Sequence, residues 1–428
     1  MVDTITVTAS IVNAAPVANA GPDQNTLAGA TVNLNGTGST DANSDPLSYS
    51  WSMTAKPAGS QATLSDATSA SPSFQADMEG IYIASLIVND GTVDSPSPDT
   101  VQIVVHRPIV GLPFNVVDSE YNKISDKIVI VSSMPANQLH IYDPALNSDV
   151  AVDLVLPPFA VSVSPDGLHA AVGHDGWISY VSLATATVEK QLAVSTNVID
   201  IVLAGNGFIY AYPRTDQWES IRCVEIATGT ETSSGGYSIY AGTLAKLHPN
   251  GTAIYGADNG LSPSDIEKYD ISNGTATLLY DSPYHGDYAM CGNLWIAEDG
   301  LRIFTACGNV FRSSAIRSED MTYNGSLNSL SRIAGLDHSS AANKVVAIPG
   351  NTYLTTNNDI TIQFYGYDYL SFQKNITLPM FLVQGKAYSS HGKFTFFNAA
   401  GDSVYVILKA DNTSGLLYDY GITTYAVP

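Results

Sequence analysis

The stretch VSVSPDGLHAAVGHDGWISYVSL, residues 161–183, decides the fold. It opens on alternating Val and Ser, the period-two pattern of a strand with one buried face. Pro165-Asp166-Gly167 then supplies a tight turn: Pro presets φ, Asp closes onto nearby backbone and Gly accepts a positive φ. A small-residue strand follows, then a second turn at Gly173-His174-Asp175-Gly176, then a third strand with the run Trp177-Ile178-Ser179-Tyr180-Val181. Short strands joined by such turns form an antiparallel meander.

The unit recurs. Its first turn is echoed at Ala204-Gly205-Asn206-Gly207, Pro249-Asn250-Gly251 and Glu298-Asp299-Gly300, with successive glycines 40, 44 and 49 residues apart. Its third strand returns as HIYDPAL from His140, KYDISNG from Lys268 and GYDYLSF from Gly366. A period of about 40–50 residues is that of a four-stranded propeller blade. Seven units can be placed, starting near Phe114, Pro158, Asn197, Thr243, Asn293, Ser329 and Gly385, the last two the least regular. Residues 107–428 therefore read as a seven-bladed β-propeller, whose radial repetition leaves only short sheet edges exposed. An open pair of β-sandwiches is the alternative; no helical period supports an α/β fold.

Composition narrows the partners. The 428 residues carry 40 acidic against 18 basic side chains, a net charge of −22. Phosphate binding needs a basic footprint, so nucleic acid is excluded as an expected partner, and an anionic membrane surface is disfavoured on the same ground. No apolar run approaches the roughly 20 residues that span a bilayer, so no membrane insertion is expected. The start lacks the basic and apolar regions of a signal peptide, so the chain reads as mature or trimmed.

Residues 15–106 form a separate all-β segment of short alternating strands with Gly, Pro and Asp punctuation, the pattern of a β-sandwich. Ala15-Pro16-Val17-Ala18-Asn19-Ala20-Gly21-Pro22-Asp23-Gln24, Gly38-Ser39-Thr40-Asp41, Asp45-Pro46-Leu47-Ser48-Tyr49-Ser50-Trp51, Val88-Asn89-Asp90-Gly91 and Asp99-Thr100-Val101 follow in order. Together they resemble a PKD domain, an immunoglobulin-like sandwich. The resemblance implies a spacer or adhesive module of an extracellular protein, with Trp51 filling the core. Asp3-Thr4-Ile5-Thr6-Val7-Thr8 matches Asp99-Thr100-Val101-Gln102-Ile103-Val104. Residues 1–14 thus read as the last strand of a preceding module or a linker, or else as an extra edge strand of the same sandwich. The first reading makes neighbouring modules of a longer chain expected partners. The propeller resembles the broad seven-bladed group of YVTN-type surface-layer proteins and lactonase-like enzymes, which gives architecture without activity. Together with the lysine-poor, acidic composition, these resemblances imply a bacterial protein, secreted or at the cell surface.

Cys291 and Cys307 flank the Glu298-Asp299-Gly300 turn, and their numbers share a sum of 598 with Ala297 and Leu301. Antiparallel partners keep a constant sum, so the two cysteines are expected to face each other across the first two strands of the fifth unit. A disulfide there suits an oxidising compartment; two small buried thiols are the alternative. Cys223 reads as a lone core residue.

In a propeller the first-to-second turns share one face, and the second-to-third and blade-to-blade loops share the other. The short Pro-Asp-Gly type turns leave the second face as the place for a site. His174, Asp175, Tyr212, Arg214, Asp216, Trp218, Asp258, His285, Asp287 and Tyr288 fall on its loops. Aromatic rings beside carboxylates suit a sugar, whose apolar faces stack on rings while its hydroxyls donate to carboxylates. A solvated loop surface is the plainer reading. Asp41, Asn43 and Asp45 place oxygen ligands at every second position of a loop, as calcium takes them, although Asx turns use the same spacing. A further metal position could involve His174 with Asp175 or His285 with Asp287. No closely spaced histidine pair marks a dedicated zinc site, and no nucleophile elbow, P-loop or dinucleotide fingerprint occurs.

Two functions follow. The first is a non-enzymatic binding or adhesion protein in which a PKD spacer presents a propeller whose loop face binds a glycan or protein ligand. The second is a lactonase, lyase or glycoside hydrolase working at the channel mouth through His174, Asp175, His285 and Asp287.

Overall fold

A computed structural model describes residues 12–215, 217–234, 239–258, 262–328, 330, 332–351 and 358–428. The segment 1–11, expected to be a strand, lies outside them. The chain divides into two compact units, residues 1–109 with 379–389, and residues 110–378 with 390–428. The sequence placed the break at 106/107 and assigned 379–389 to the propeller. That segment instead groups with the first unit, as a hairpin of Phe381–Val383 and Lys386–Tyr388.

The first unit is a two-sheet sandwich. One sheet runs Gln24–Leu27, Asp99–His106, Gly80–Asn89, Ser48–Ala55, with the first pair parallel. The other pairs Thr31–Asn33 with Ser73–Gln75. Alternation puts one side of each strand inward: Tyr82, Ala84, Leu86 and Val88 from one strand meet Val101, Ile103 and Val105 from its neighbour. Trp51, 4% exposed, sits among them opposite Leu86, so its large ring fills the core as expected.

The second unit is a β-propeller. Among the described residues it contains seven four-stranded antiparallel arrays. Blade 1 runs Asp118–Asn122, Lys127–Ser132, Gln138–Asp143, Ser148–Asp153. Blades 2 and 3 share the 17-residue strand Thr187–Leu203, whose first part is the outer edge of one and whose second part is the inner edge of the next. Blades 4, 5 and 6 begin at Leu244–Leu247, Leu294–Ile296 and Ile333–Ser339. Blade 7 takes three strands from the C-terminal part of the unit, Ser390–Phe397, Ser403–Ala410 and Tyr420–Ala426, and its fourth from Val110–Leu112.

Each blade buries both faces against its neighbours. Val129, Val131 and Leu139 of blade 1 pack on Ala170, Val172 and Val181 of blade 2. Ile128, Ile130 and Tyr142, on the other face of blade 1, pack on Tyr405, Ile407 and Ile422 of blade 7, which closes the ring. The repeated turn has a single backbone requirement. Asp126, Gly167, Gly207, Gly251, Gly300, Asn343 and Gly401, one per blade, all take a positive φ of 51–90°. At Gly167 a Cβ would also lie 2.6 Å from Asn122 Oδ1, so only glycine fits.

Cys291 and Cys307 are bridged, with Cα atoms 5.6 Å apart. The expected register is one step off: Leu294 faces Thr305 and Trp295 faces Phe304, a sum of 599. The cysteines therefore lie beyond the ends of the paired strands and are not opposite one another in the ladder. Cys223 is free and buried.

Candidate functional site

On the loop face, blades 2 and 3 bring several of the singled-out side chains together. The Arg214 amide donates to the Asn197 carbonyl at 2.7 Å, which fixes the loop after Phe208–Pro213. The Arg214 guanidinium then lies 3.9 Å over the Phe159 ring and donates to Asp175 at 2.5 Å. Asp175 and Arg214 are thus joined as an ion pair, half-exposed and stacked on an aromatic face. Close by in sequence, Trp218 stands 55% exposed with φ +60°, a conformation that bulky L residues rarely adopt. Its ring meets Tyr240 edge-on at 5.9 Å, and Gln217 Nε2 donates to the Tyr240 hydroxyl at 3.0 Å. Two backbone bonds, Ile239 to Glu219 at 2.7 Å and Gly242 to Pro213 at 2.9 Å, hold the two loop segments against each other. Asp216 lies outside the described residues.

Other expected site residues are structural. His174 is 1% exposed. Its Nδ1 lies 3.0 Å from the Pro157 carbonyl and must donate there, so Nε2, 2.8 Å from Ser179 Oγ, accepts. Both nitrogens are used, and burial holds the ring below the ordinary histidine range, neutral and closed to ligands. Tyr212 is fully buried, with its hydroxyl unpartnered. Asp258 is 2% exposed. Tyr288 stacks on Tyr323 at 4.1 Å and packs edge-on to Phe311 and Tyr284, serving as a wedge beneath the loop. Asp287 is exposed. His285 turns to Asp265, Nδ1 to Oδ2 at 3.4 Å, where the sequence had paired it with Asp287.

The loop with calcium-like spacing closes on itself. Asp41 Oδ1 accepts from the amides of Asn43 at 2.8 Å and Asp45 at 3.0 Å, and Asn43 Oδ1 accepts from Ala14 at 2.7 Å. These are Asx-turn bonds. Asp41 Oδ2 is left buried without a partner. That oxygen and the Asp45 carboxylate fall short of the six to eight oxygens calcium takes.

Reading the loops alone missed the channel. The inner strands enclose about 440 Å³, lined by residues that include Asp118, Glu120, Lys246 and Asp337. Each carboxylate reaches across to an amide of a neighbouring inner strand: Asp118 to Val161 at 2.9 Å, Glu120 to Val163 at 2.6 Å, Asp200 to Ala245 at 2.7 Å and Asp337 to Phe397 at 2.7 Å. Burial pushes Asp118 up to about 6, Glu120 to about 7 and Asp337 to about 7, and raises Asp200. Burial also works against the charge of Lys246, but Asp200, Glu120 and Asp118 outweigh it and hold the amine above its usual range. At the turn-face end Lys123 pairs with Glu298. The arrangement pins blade to blade by charge-assisted hydrogen bonds. Acidic residues recurring in the predicted first strands were the available signal.

Residues 20–105 match a family model described as a PKD domain. No curated protein matches the chain. Among solved structures, the β-propeller domain of Cps50 (Swd1) from Myceliophteria thermophila superposes with a TM-score of 0.54 at 13% identity, over 75% of this chain and 98% of that one. At that identity the likeness is one of fold alone. The chain is thus an all-β protein that joins a PKD-like domain to a β-propeller, a pairing that suggests a binding or scaffold role.

Proposed function

We propose that this chain is a non-enzymatic extracellular binding protein in which the PKD-like unit is a spacer and the propeller's loop face takes a glycan. The observation that carries this reading is Trp218: a large ring held 55% exposed, in a left-handed backbone conformation, braced edge-on by Tyr240. Keeping a tryptophan there costs about 1–3 kcal/mol of backbone strain. Such strain is repaid where an exposed ring stacks on an apolar sugar face, with Gln217, Asp175 and Arg214 as hydrogen-bonding groups in the neighbouring loops. An enzyme using His174, Asp175, His285 and Asp287 together gains no support. His174 is sealed, Asp175 is tied to Arg214, His285 turns to Asp265, and the channel carboxylates are engaged with backbone amides.

The test is titration of the full chain with an oligosaccharide panel, followed by tryptophan fluorescence and melting temperature. At least one glycan is expected to raise the melting temperature by mass action, and Trp218→Ala should abolish that shift while leaving the fold intact. A flat response to every glycan, or an undiminished response in Trp218→Ala, overturns the glycan reading in favour of a protein ligand or another surface.

A further inference from the structure

Blade 4 gathers carboxylates on one face. In its register Asp258 lies opposite Asp265, and Glu267 lies opposite Asp281. Asp265 and Glu267 are two residues apart on one strand and so point the same way. Four carboxylates from three adjacent strands therefore share a face. Lys268, next to Glu267 in sequence, points to the opposite face and pairs with Asp320 at 2.7 Å. Among the described residues, the cationic partner of Asp265 is His285, whose side chain is 67% exposed.

The geometry is that of a ligand set. One atom each from Asp265, Asp281 and His285 lie within 4.8 Å of one another. Ligands at about 2.0–2.2 Å from a shared metal stand up to roughly 4.2 Å apart, so a small side-chain rotation closes the set. Asp265 is steadied from its own backbone side, its Oδ1 accepting from the Ile266 amide at 2.7 Å. Glu267 stands behind, only 6% exposed, accepting from the Tyr269 hydroxyl. Burial, and after it the charges of Asp258, Asp265 and Asp281, raise Glu267 to about 7, a measure of how much negative charge gathers on this face. The fully buried Tyr212 hydroxyl, unpartnered, is within electrostatic reach of Glu267 on the same side.

We propose that Asp265, Asp281 and His285 bind a divalent first-row transition ion on the loop face of blade 4, with Glu267 as an outer carboxylate. One imidazole nitrogen with two carboxylate oxygens suits zinc or manganese; an ion that prefers oxygen alone, such as calcium, would have no use for His285. Three protein ligands leave coordination positions open to solvent. The site stands independently of Trp218.

The test is isothermal titration of the EDTA-stripped full chain with Zn²⁺, in parallel with Ca²⁺. One Zn²⁺ per chain is expected, with His285→Ala and Asp265→Asn each weakening it at least tenfold. Asp287→Asn should leave it unchanged. His285 is exposed, so its substitution is compatible with an intact fold, checked by an unaltered circular dichroism spectrum. His391 is the control for adventitious zinc: its Nδ1 lies 2.9 Å from Asp359 and its Nε2 3.7 Å from Asp411. No binding, binding lost in His391→Ala but retained in His285→Ala, or Ca²⁺ binding indifferent to His285→Ala would each overturn the proposal.

Discussion

Replacing Asp337 by Asn tests whether the channel carboxylates set the pH dependence of the propeller. Asp337 Oδ1 accepts from the His338 amide at 2.9 Å and Oδ2 from the Phe397 amide at 2.7 Å, linking blade 6 to blade 7. Burial raises its folded pKa to about 7 from the ordinary 3.8. A raised folded value means that the native state binds the proton more tightly than the unfolded chain. This contribution is fully present below about pH 4 and is lost as pH rises through about 7. About three pKa units at ~1.4 kcal/mol each set an upper bound of about 4 kcal/mol. Channel water screens part of that, leaving about 2 kcal/mol between pH 5 and pH 8.5. Asn cannot titrate, and it offers one acceptor where the carboxylate offers two. At pH 5 the variant should therefore be less stable than the wild type by about 1 kcal/mol, the loss of one hydrogen bond. At pH 8.5 the gap should close or reverse. Urea unfolding at the two pH values, followed by fluorescence of Trp177, Trp218 and Trp295, measures the difference. Parallel profiles, or a wild type that gains on the variant as pH rises, would refute the assignment.

Other outcomes follow from single features. Cys291→Ser with Cys307→Ser opens a loop of 16 residues and should cost about 3 kcal/mol, read as a lower denaturation midpoint that reductant reproduces in the wild type. Gly167→Ala introduces a Cβ within 2.6 Å of Asn122 Oδ1 at a φ of +70° and should destabilise the propeller by at least about 1 kcal/mol, seen as a depressed melting temperature. Trp51→Ala empties the core of the sandwich at a cost of about 3–5 kcal/mol; calorimetry of the full chain should show an earlier PKD transition.

The sequence carried the blades in their turns, because a positive φ demands glycine, Asn or Asp at one position in each repeat. That signal reached blades 1 and 6 less clearly, since Asp126 and Asn343 stand where glycine was sought. The disulfide was legible from spacing, but its register was not: a constant-sum argument has no way to sense where a ladder stops, and this one ends before Cys291 and Cys307. His174 looked like a loop residue because glycines surround it. Its hydrogen-bond partners, Pro157 and Ser179, come from either side of the hairpin and draw the ring inward. The channel carboxylates were hidden for a related reason. Asp118 satisfies an amide 43 residues away and Asp337 one 60 residues away, pairings that exist only once neighbouring blades stand side by side.

The strand Val110–Leu112 also sets a timetable. Its partners, Tyr420 to Ile422, are synthesised about 300 residues later, which at ~5–20 residues per second leaves it single for roughly 15–60 s. A bare strand edge is a template for pairing with the wrong chain. Here it is three residues long and bracketed by Pro108 and Pro113, which offer no amide hydrogen to a passing strand. The segment that must wait longest on the ribosome for its neighbour is thus among the poorest in the chain at attracting a stranger.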